Sequence, residues 1–500
     1  MTLSGLKRFP LGKRVPSGEH AICVSLPSIA DVVGYETKDP AVMEKVRTGY
    51  PRFVVHHLVA RMIELLLREA GVTNRAGVAL PSERAAVELA EFLDSDVRLH
   101  LSDDCVLAHF PQDKDLRARA KSFLQHTGLS VSSRYAEDFL HSRGLLDSTR
   151  EETMDEEEAH VHVRKVIAEA LGPGVAAEDV LPATSGANAF HALFRATQHR
   201  LATQGKTIWV QLGWLYVDTI RVLETFTEGP CETIAFREVS DLSRLRELFE
   251  NRGDEIAAVV TETPTNPLVQ TCNLDELRDL CRSRGAMLVA DPTIASPLNV
   301  KVAGHADVIV NSLTKYAANA GDVMLGCLAF PETSRFRGEV MEAVRREIEP
   351  PYSRDLARLA RQIDAYPELV ERMNENILRL AAFLEEHPKV KKLHWAYSEP
   401  FRANYEKLAG TEKPGCMLSF ELKEPIECFY DKIEMLKSPS FGTTFSLLCP
   451  YVYLAHYDLI QDEAGLATLA EAGLAPELVR VSLGAEPPEQ ILSTFEEALR

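Results

Sequence analysis

The sequence predicts an α/β fold: a mostly parallel seven-stranded sheet domain, a smaller C-terminal α+β domain, an N-terminal arm and a small inserted α/β subdomain. Three observations predict it. Between residues 179 and 330 short apolar runs alternate with amphipathic helical stretches, the pattern of successive βαβ units. Those runs are apolar on both faces, as strands covered by helices on each side must be. The chain has 500 residues, 45% of them hydrophobic, which is more than one core organises. The implied divisions are 1–145 (arm and subdomain), 146–365 (large domain) and 366–500 (C-terminal domain).

Taken in order, residues 1–52 are punctuated by Pro10, Pro16, Pro27, Pro40 and Pro51 and hold only short helix-capable pieces. Such an arm lacks a core of its own and is expected to pack elsewhere, often on a partner subunit. A helix follows from Phe53 to about Arg68, then a strand at 77–80, a helix at 82–93 and one or two strands within 97–110. Ser130 to Arg134 opens a helix toward Ser142, and Gly172-Pro173 stops the helix that starts in the acidic run Glu151 to Glu158. The strands of the large domain are predicted at 180–182, 208–212, 233–236, 256–261, 287–290, 307–310 and 324–330, with helices at 187–204, 242–251 and 274–284. Helical sequence after Pro350-Pro351 runs to about Leu384. Strands at 417–422, 443–448 and 478–483 and a last helix at 488–499 complete the C-terminal part.

A formal charge of −19 argues against nucleic-acid or anionic-membrane partners. Nine cysteines without a Cys-x-x-Cys pair point to buried thiols in a reducing compartment and to no metal site. Met1 to Gly18 lacks an apolar signal core and no apolar run approaches a membrane span, so a cytoplasmic location is expected.

The chemistry is expected where parallel strands end. Lys315 lies in Asn311-Ser312-Leu313-Thr314-Lys315-Tyr316, after a buried apolar run, where a partly desolvated amine can carry a Schiff base. Thr184-Ser185-Gly186-Ala187 precedes a long helix whose N-terminus can receive a phosphate. Gly213 to Tyr216 offers an aromatic ring that could stack on a planar cofactor. Two prolines hold Asn266 in Glu262-Thr-Pro-Thr-Asn-Pro267, and Asp291 in Asp291-Pro-Thr293 needs a cationic or hydrogen-bonded partner such as a protonated pyridine nitrogen.

The run Asp291-Pro-Thr-Ile-Ala-Ser-Pro297, then Ser312-Leu-Thr-Lys-Tyr316 and Gly321-Asp322, resembles the signature of the pyridoxal-phosphate enzymes of cysteine and methionine metabolism. Ser185-Gly186, Tyr216 to Thr219, Glu262 to Pro267 and Arg480-Val-Ser-Leu-Gly484 stand around it in the same order. Gly49-Tyr-Pro-Arg52, Gln125-His-Thr-Gly128, Ser132-Ser-Arg134 and Phe441 to Tyr451 are similar to the long, N-terminally extended cystathionine γ-synthases, so the likeness covers nearly the whole chain. It implies an aspartate-aminotransferase-like fold (fold type I) and pyridoxal 5′-phosphate as cofactor. It implies a homodimer or homotetramer with shared active sites, and γ-replacement on an O-acylated L-homoserine by L-cysteine to give L-cystathionine. The alternatives are another nucleophile, sulfide or a carbon acid, or a cystathionine or methionine γ-lyase. The resemblance further implies Lys315 as the cofactor lysine, Tyr216 as the stacking ring with a catalytic role, Asp291 on the pyridine nitrogen and Asn266 near the ring hydroxyl. Ser185, Gly186, Ala187, Ser312 and Thr314 would hold the phosphate, with Thr293 beside the cofactor. Arg480 and Ser440 would bind substrate.

Departures from the family pattern stand beside these matches. The tyrosine of the usual Tyr-x-Arg is replaced by Ser132, so either Arg134 reaches the phosphate alone or Tyr50 and Arg52 take over. Gly-His after the lysine is replaced by Asn319-Ala320, and Tyr451 stands where many relatives have a glutamate. These changes bear on substrate and reaction specificity.

Overall fold

The computed structural model describes residues 3–50, 54–150 and 154–500. Its arm contains a short antiparallel pair, β1 (Arg14–Val15) and β2 (Cys23–Val24). The inserted subdomain is an antiparallel sheet of β3 (Arg75–Leu80), β4 (Arg98–Ser102) and β5 (Cys105–Pro111), in the order β3-β5-β4. The helix predicted from Phe53 begins at His57, since His56 caps it through Nδ1, and Phe53 itself lies outside the described residues. Ser82 caps the helix Glu83–Leu93, and Ser132 caps Ser133–Ser142.

The large sheet comprises β6 (Val180–Ala183), β7 (Ile208–Leu212), β8 (Glu232–Phe236), β9 (Ile256–Glu262), β10 (Met287–Asp291), β11 (Val308–Asn311) and β12 (Gly326–Ala329). Their order is β6-β12-β11-β10-β9-β7-β8, and β12 alone runs against its neighbours. Both faces are dry: Val259, Leu288 and Ile309 enter one core, whereas Ala258, Val289 and Val308 enter the core on the opposite side. The alternation is therefore apolar-in on both sides, and the polar residues gather at the strand ends.

The C-terminal sheet holds β13 (Val390–His394), β14 (Met417–Leu422), β15 (Leu436–Lys437), β16 (Leu447–Pro450) and β17 (Val479–Ser482), ordered β13-β14-β17-β16-β15. The strand predicted at 443–448 starts later, at Leu447. Thr443 instead folds onto the Phe445 carbonyl, and Ser446 is held by Glu486.

The arm touches the inserted subdomain that follows it through polar pairs, Glu19 with His57 and His20 with Ser133, but its apolar side chains go elsewhere. Val24, Leu26, Ile29 and Val32 join the core of the C-terminal domain with Phe420, Tyr430 and Phe495. Leu26 N–H donates to the Lys437 carbonyl, and Lys437 Nζ to that of Pro27. The arm thus covers the same chain. No helix among the described residues is long and apolar enough to cross a membrane. All nine cysteines are free, seven of them buried.

Candidate active site

At the carboxyl ends of β7, β9, β10 and β11 lies a cavity of about 460 Å³. It brings together Tyr50, Gly186, Ala187, Tyr216, Asn266, Asp291, Thr293, Ser312, Lys315, Ser440 and Arg480. These come from the arm, the large sheet and the C-terminal domain.

The half-buried Lys315 donates from Nζ to Ser440 Oγ at 3.1 Å. Its ammonium lies 4.9 Å from the centre of the Tyr50 ring and 5.0 Å from that of Phe441. The arm thus supplies one wall of the lysine's surroundings, and Phe441, which opens the Phe441 to Tyr451 run and to which the sequence assigns no site role, supplies another.

Asp291 ends β10 directly across from Glu262, which ends β9. Burial pushes the Asp291 carboxyl up to about 6, and burial and then the Asp291 charge raise Glu262 well above its usual range. Glu262 meets that cost with backbone donors. Tyr216 N–H donates to its Oε1 and Asn266 N–H to its Oε2, the latter at 3.0 Å. One carboxylate therefore fixes both the tyrosine and the asparagine that the sequence singles out. The strand register could have revealed it, since Glu262 occupies the position in β9 that Asp291 occupies in β10.

Arg480 is buried, and among the described residues no carboxylate lies within ion-pair distance of it. Its Nη1 donates to Asn266 Oδ1 at 3.2 Å and Nη2 to the Ser440 carbonyl at 3.3 Å, below the Tyr451 ring at 5.3 Å. A desolvated guanidinium satisfied by neutral acceptors keeps its affinity for an incoming carboxylate. Ser440 thus touches both cations, through its hydroxyl and its carbonyl.

The residues expected to hold a phosphate divide. Gly186 and Ala187 open the helix Gly186–Ala202 onto the cavity, next to Ser312; a Cβ on Gly186 would meet Ser312 Cβ at 3.2 Å. Ser185 does not line the cavity but caps this helix, accepting Asn188 N–H at 3.0 Å. Gly128, at φ +69°, is pressed so close that a Cβ there would reach Ser185 Oγ at 2.2 Å, which explains the glycine ending Gln125-His-Thr-Gly128.

Thr314 is not turned to the cavity either. Its Oγ1 donates to the Leu325 carbonyl and accepts Leu325 N–H, a clamp that leaves the hydroxyl for β12 rather than for a phosphate. Arg134 stands on a separate cavity with His20, Asp322 and Asp355, donating to Asp355 Oδ1 at 3.0 Å and the Asp322 carbonyl at 2.9 Å. Within this chain it is not brought to the Lys315 cavity. Arg52 lies outside the described residues. Thr293 lines the cavity and locks the loop, accepting Ser312 N–H and donating to Asn311 Oδ1.

Tyr451 is buttressed by His456, which accepts the Trp214 indole N–H at 3.1 Å. Burial, then Arg221 and Arg237, lowers His456 to about 3. The unfolded imidazole titrates near 6.5, so its contribution to stability is complete above that pH and declines as pH falls from there toward 3. At about pH 5.5 the loss is about 1.4 kcal/mol. His456→Gln is expected to flatten this part of the acid limb, measured as urea midpoints against pH; an unchanged slope between pH 7 and 5 (about two units) would contradict it.

A family model described as Cys/Met metabolism PLP-dependent enzyme matches residues 117–500. The chain belongs to this family. The pyridoxal-phosphate enzyme so identified is 34% identical over 486 residues to an L-2-amino-4-chloropent-4-enoate dechlorinase/desaturase of Streptantibioticus cattleyicolor, with 97% of each chain covered. It is 26% identical over 617 aligned positions to the cystathionine gamma-synthase of Neurospora crassa, covering 98% of each. The crystal structure of cystathionine gamma synthase from Xanthomonas oryzae pv. oryzae in complex with aminoacrylate and cysteine superposes with a TM-score of 0.58 at 20% identity, over 71% of this chain and 89% of that one. The fold is that of the fold type I pyridoxal-phosphate enzymes.

Pyridoxal phosphate is the cofactor, and the residues present fit it. A half-buried amine, a strand-end carboxylate raised by burial and the first residues of the helix Gly186–Ala202 face one cavity. Together they match an aldehyde, a pyridinium nitrogen and a phosphate.

Proposed function

We propose that this enzyme expels a leaving group from Cγ of an L-α-amino acid, and that it then adds L-cysteine to the carbon skeleton of an O-acylated L-homoserine to form L-cystathionine. The observation that carries the reading is Ser440 bridging Lys315 Nζ and the Arg480 guanidinium. An amino acid whose carboxylate sits on Arg480 presents its Cα to Lys315 Nζ. Arg480 orients the carboxylate through its planar fork, and the neutral Asn266 and Ser440 partners leave the guanidinium's charge for it. Lys315 Nζ takes protons from Cα and then Cβ as the Cγ–O bond breaks and the acyloxy group leaves with its electron pair, and it returns them once the cysteine thiolate has bonded to Cγ, with Ser440 Oγ accepting from the amine and aiming it. Pyridoxal phosphate, when bound, supplies the electron sink for this proton loss. In this reading Tyr216, anchored through Glu262, stacks on the cofactor and Asp291 holds the ring nitrogen, while Gly186, Ala187 and Ser312 hold the phosphate. A homodimer or homotetramer with shared sites belongs to the same reading, and in it Arg134 would serve a neighbouring subunit.

The second reading stops at elimination, so that a γ-halide or γ-ester is lost and no nucleophile enters. The 34% identical relative, named as a dechlorinase/desaturase, favours it. Incubation with O-acetyl-L-homoserine, O-succinyl-L-homoserine and L-2-amino-4-chloropent-4-enoate, each with and without L-cysteine, separates the two. Replacement predicts cystathionine, identified by mass, from an ester. Elimination predicts the same product whether or not cysteine is present. Three unchanged substrates would end both readings.

A further inference from the structure

The Lys315 cavity has a second end. Its mouth is built by the arm helix Ile29–Glu36 and the helix Lys114–Thr127, neither of which carries a strand-end residue. Three charges stand there: the half-buried Glu36 and the exposed Lys38 and Lys121. Among the described residues none of the three has an ion-pair partner within 4.0 Å, although the chain is crowded with such pairs elsewhere. Lys38 Nζ donates to the Tyr35 carbonyl at 2.9 Å and lies over the Tyr35 ring, which holds the ammonium at the mouth.

Burial disfavours the charged forms of Glu36 and Lys121. Burial pushes the Glu36 carboxyl up to about 7, against the pull of Lys38 and Lys121 and with Asp458 adding to the rise. Burial and then Lys38 lower the Lys121 ammonium. Glu36 gains from a cation and the lysines from an anion. A simple carboxylate would serve the lysines but repel Glu36, whereas a zwitterion serves both.

We propose that this mouth is a subsite for the zwitterionic head of a second α-amino-acid unit, its carboxylate between Lys38 and Lys121 and its ammonium on Glu36. The inference rests on the Cγ reading above, because it needs a first amino-acid head on Lys315 and Arg480. The ligand class that fills the whole cavity is then a chain with an α-amino acid at each end, joined through Cγ of the first. In the synthetic direction the second head arrives with the nucleophile.

L-Cystathionine and L-ethionine test this, since both carry the homocysteine half and only cystathionine carries the distal head. Dissociation constants are read by stopped flow from the change in cofactor absorbance of the holoenzyme before turnover. Two solvent-facing charge contacts make cystathionine bind about tenfold more tightly than ethionine. In Lys38→Ala/Lys121→Ala that advantage falls to about twofold or less, and Glu36→Gln removes part of it, while ethionine affinity stays unchanged as a check on folding. Equal affinity of the two ligands for the unaltered enzyme overturns the subsite and spares the Lys315–Arg480 site. Absorbance unmoved by either ligand overturns the Cγ reading and the subsite with it.

Discussion

Lys315→Ala is expected to lower turnover by about 10³-fold or more and to remove the absorbance of the lysine-bound cofactor. Nζ is the amine set between Ser440 Oγ and the rings of Tyr50 and Phe441, and the cavity's other ammonium groups, Lys38 and Lys121, stand at its mouth. Lys315→Arg should be equally inactive, since it keeps the charge but cannot link to an aldehyde. Both variants should melt close to the unaltered enzyme in the absence of cofactor, because Lys315 is half-buried and its hydrogen bond is to a single hydroxyl. Steady-state rates, visible spectra and thermal midpoints of the three proteins check this together. Substantial activity in Lys315→Ala would remove the central claim.

Arg480→Lys is expected to raise KM for the amino-acid substrate by about 10²-fold, with a smaller change in kcat. A lysine ammonium cannot present two parallel donors, and at this position it also leaves Asn266 Oδ1 or the Ser440 carbonyl short of a donor. Arg480→Ala should lose about 2–5 kcal/mol of substrate interaction, or about 30- to 5000-fold in kcat/KM. Stability should move the other way from affinity. In the free chain the guanidinium is buried without a carboxylate, so its removal sheds an uncompensated charge, and the thermal midpoint of Arg480→Ala is expected to hold or rise. A variant that loses affinity and stability in parallel would show Arg480 to be a structural residue instead. Substrate saturation curves and thermal melts on one preparation distinguish the two.

Much of the site could be read in advance because a parallel sheet sorts its own residues. Both faces of β9, β10 and β11 are dry, so a polar residue in those segments has only the strand end to occupy, and Asn266, Asp291 and Lys315 stand there or in the loops that follow. What could not be read depends on partners distant in sequence. Nothing local separates a threonine that holds phosphate from Thr314, whose hydroxyl is taken by Leu325 eleven residues on. Ser132-Ser-Arg134 spells a helix cap in any setting, and only the docking of that helix turns Arg134 toward Asp355 and Asp322. The edge strand β13 escaped notice because Lys391 and Lys392 mask it, and charge at an edge is how sheets protect themselves. The mouth charges were invisible for a plainer reason, since Glu36 and Lys121 belong to segments whose meeting no periodicity encodes.

The Glu486 carboxylate has a consequence for how the chain is made. It accepts Ser446 N–H and Ser446 Oγ–H and, at the other end of the molecule, Gly5 N–H, across a separation of 481 residues. Synthesis from the N-terminus at about 5–20 residues per second delivers Gly5 ahead of its acceptor by 481 residues. Until Glu486 is made, Gly5 has no carboxylate to dock on, and until Ser440 and Phe441 are made, Tyr50 has neither to face across Lys315. The wall that closes the lysine's chamber is therefore translated long before the segments that seat it.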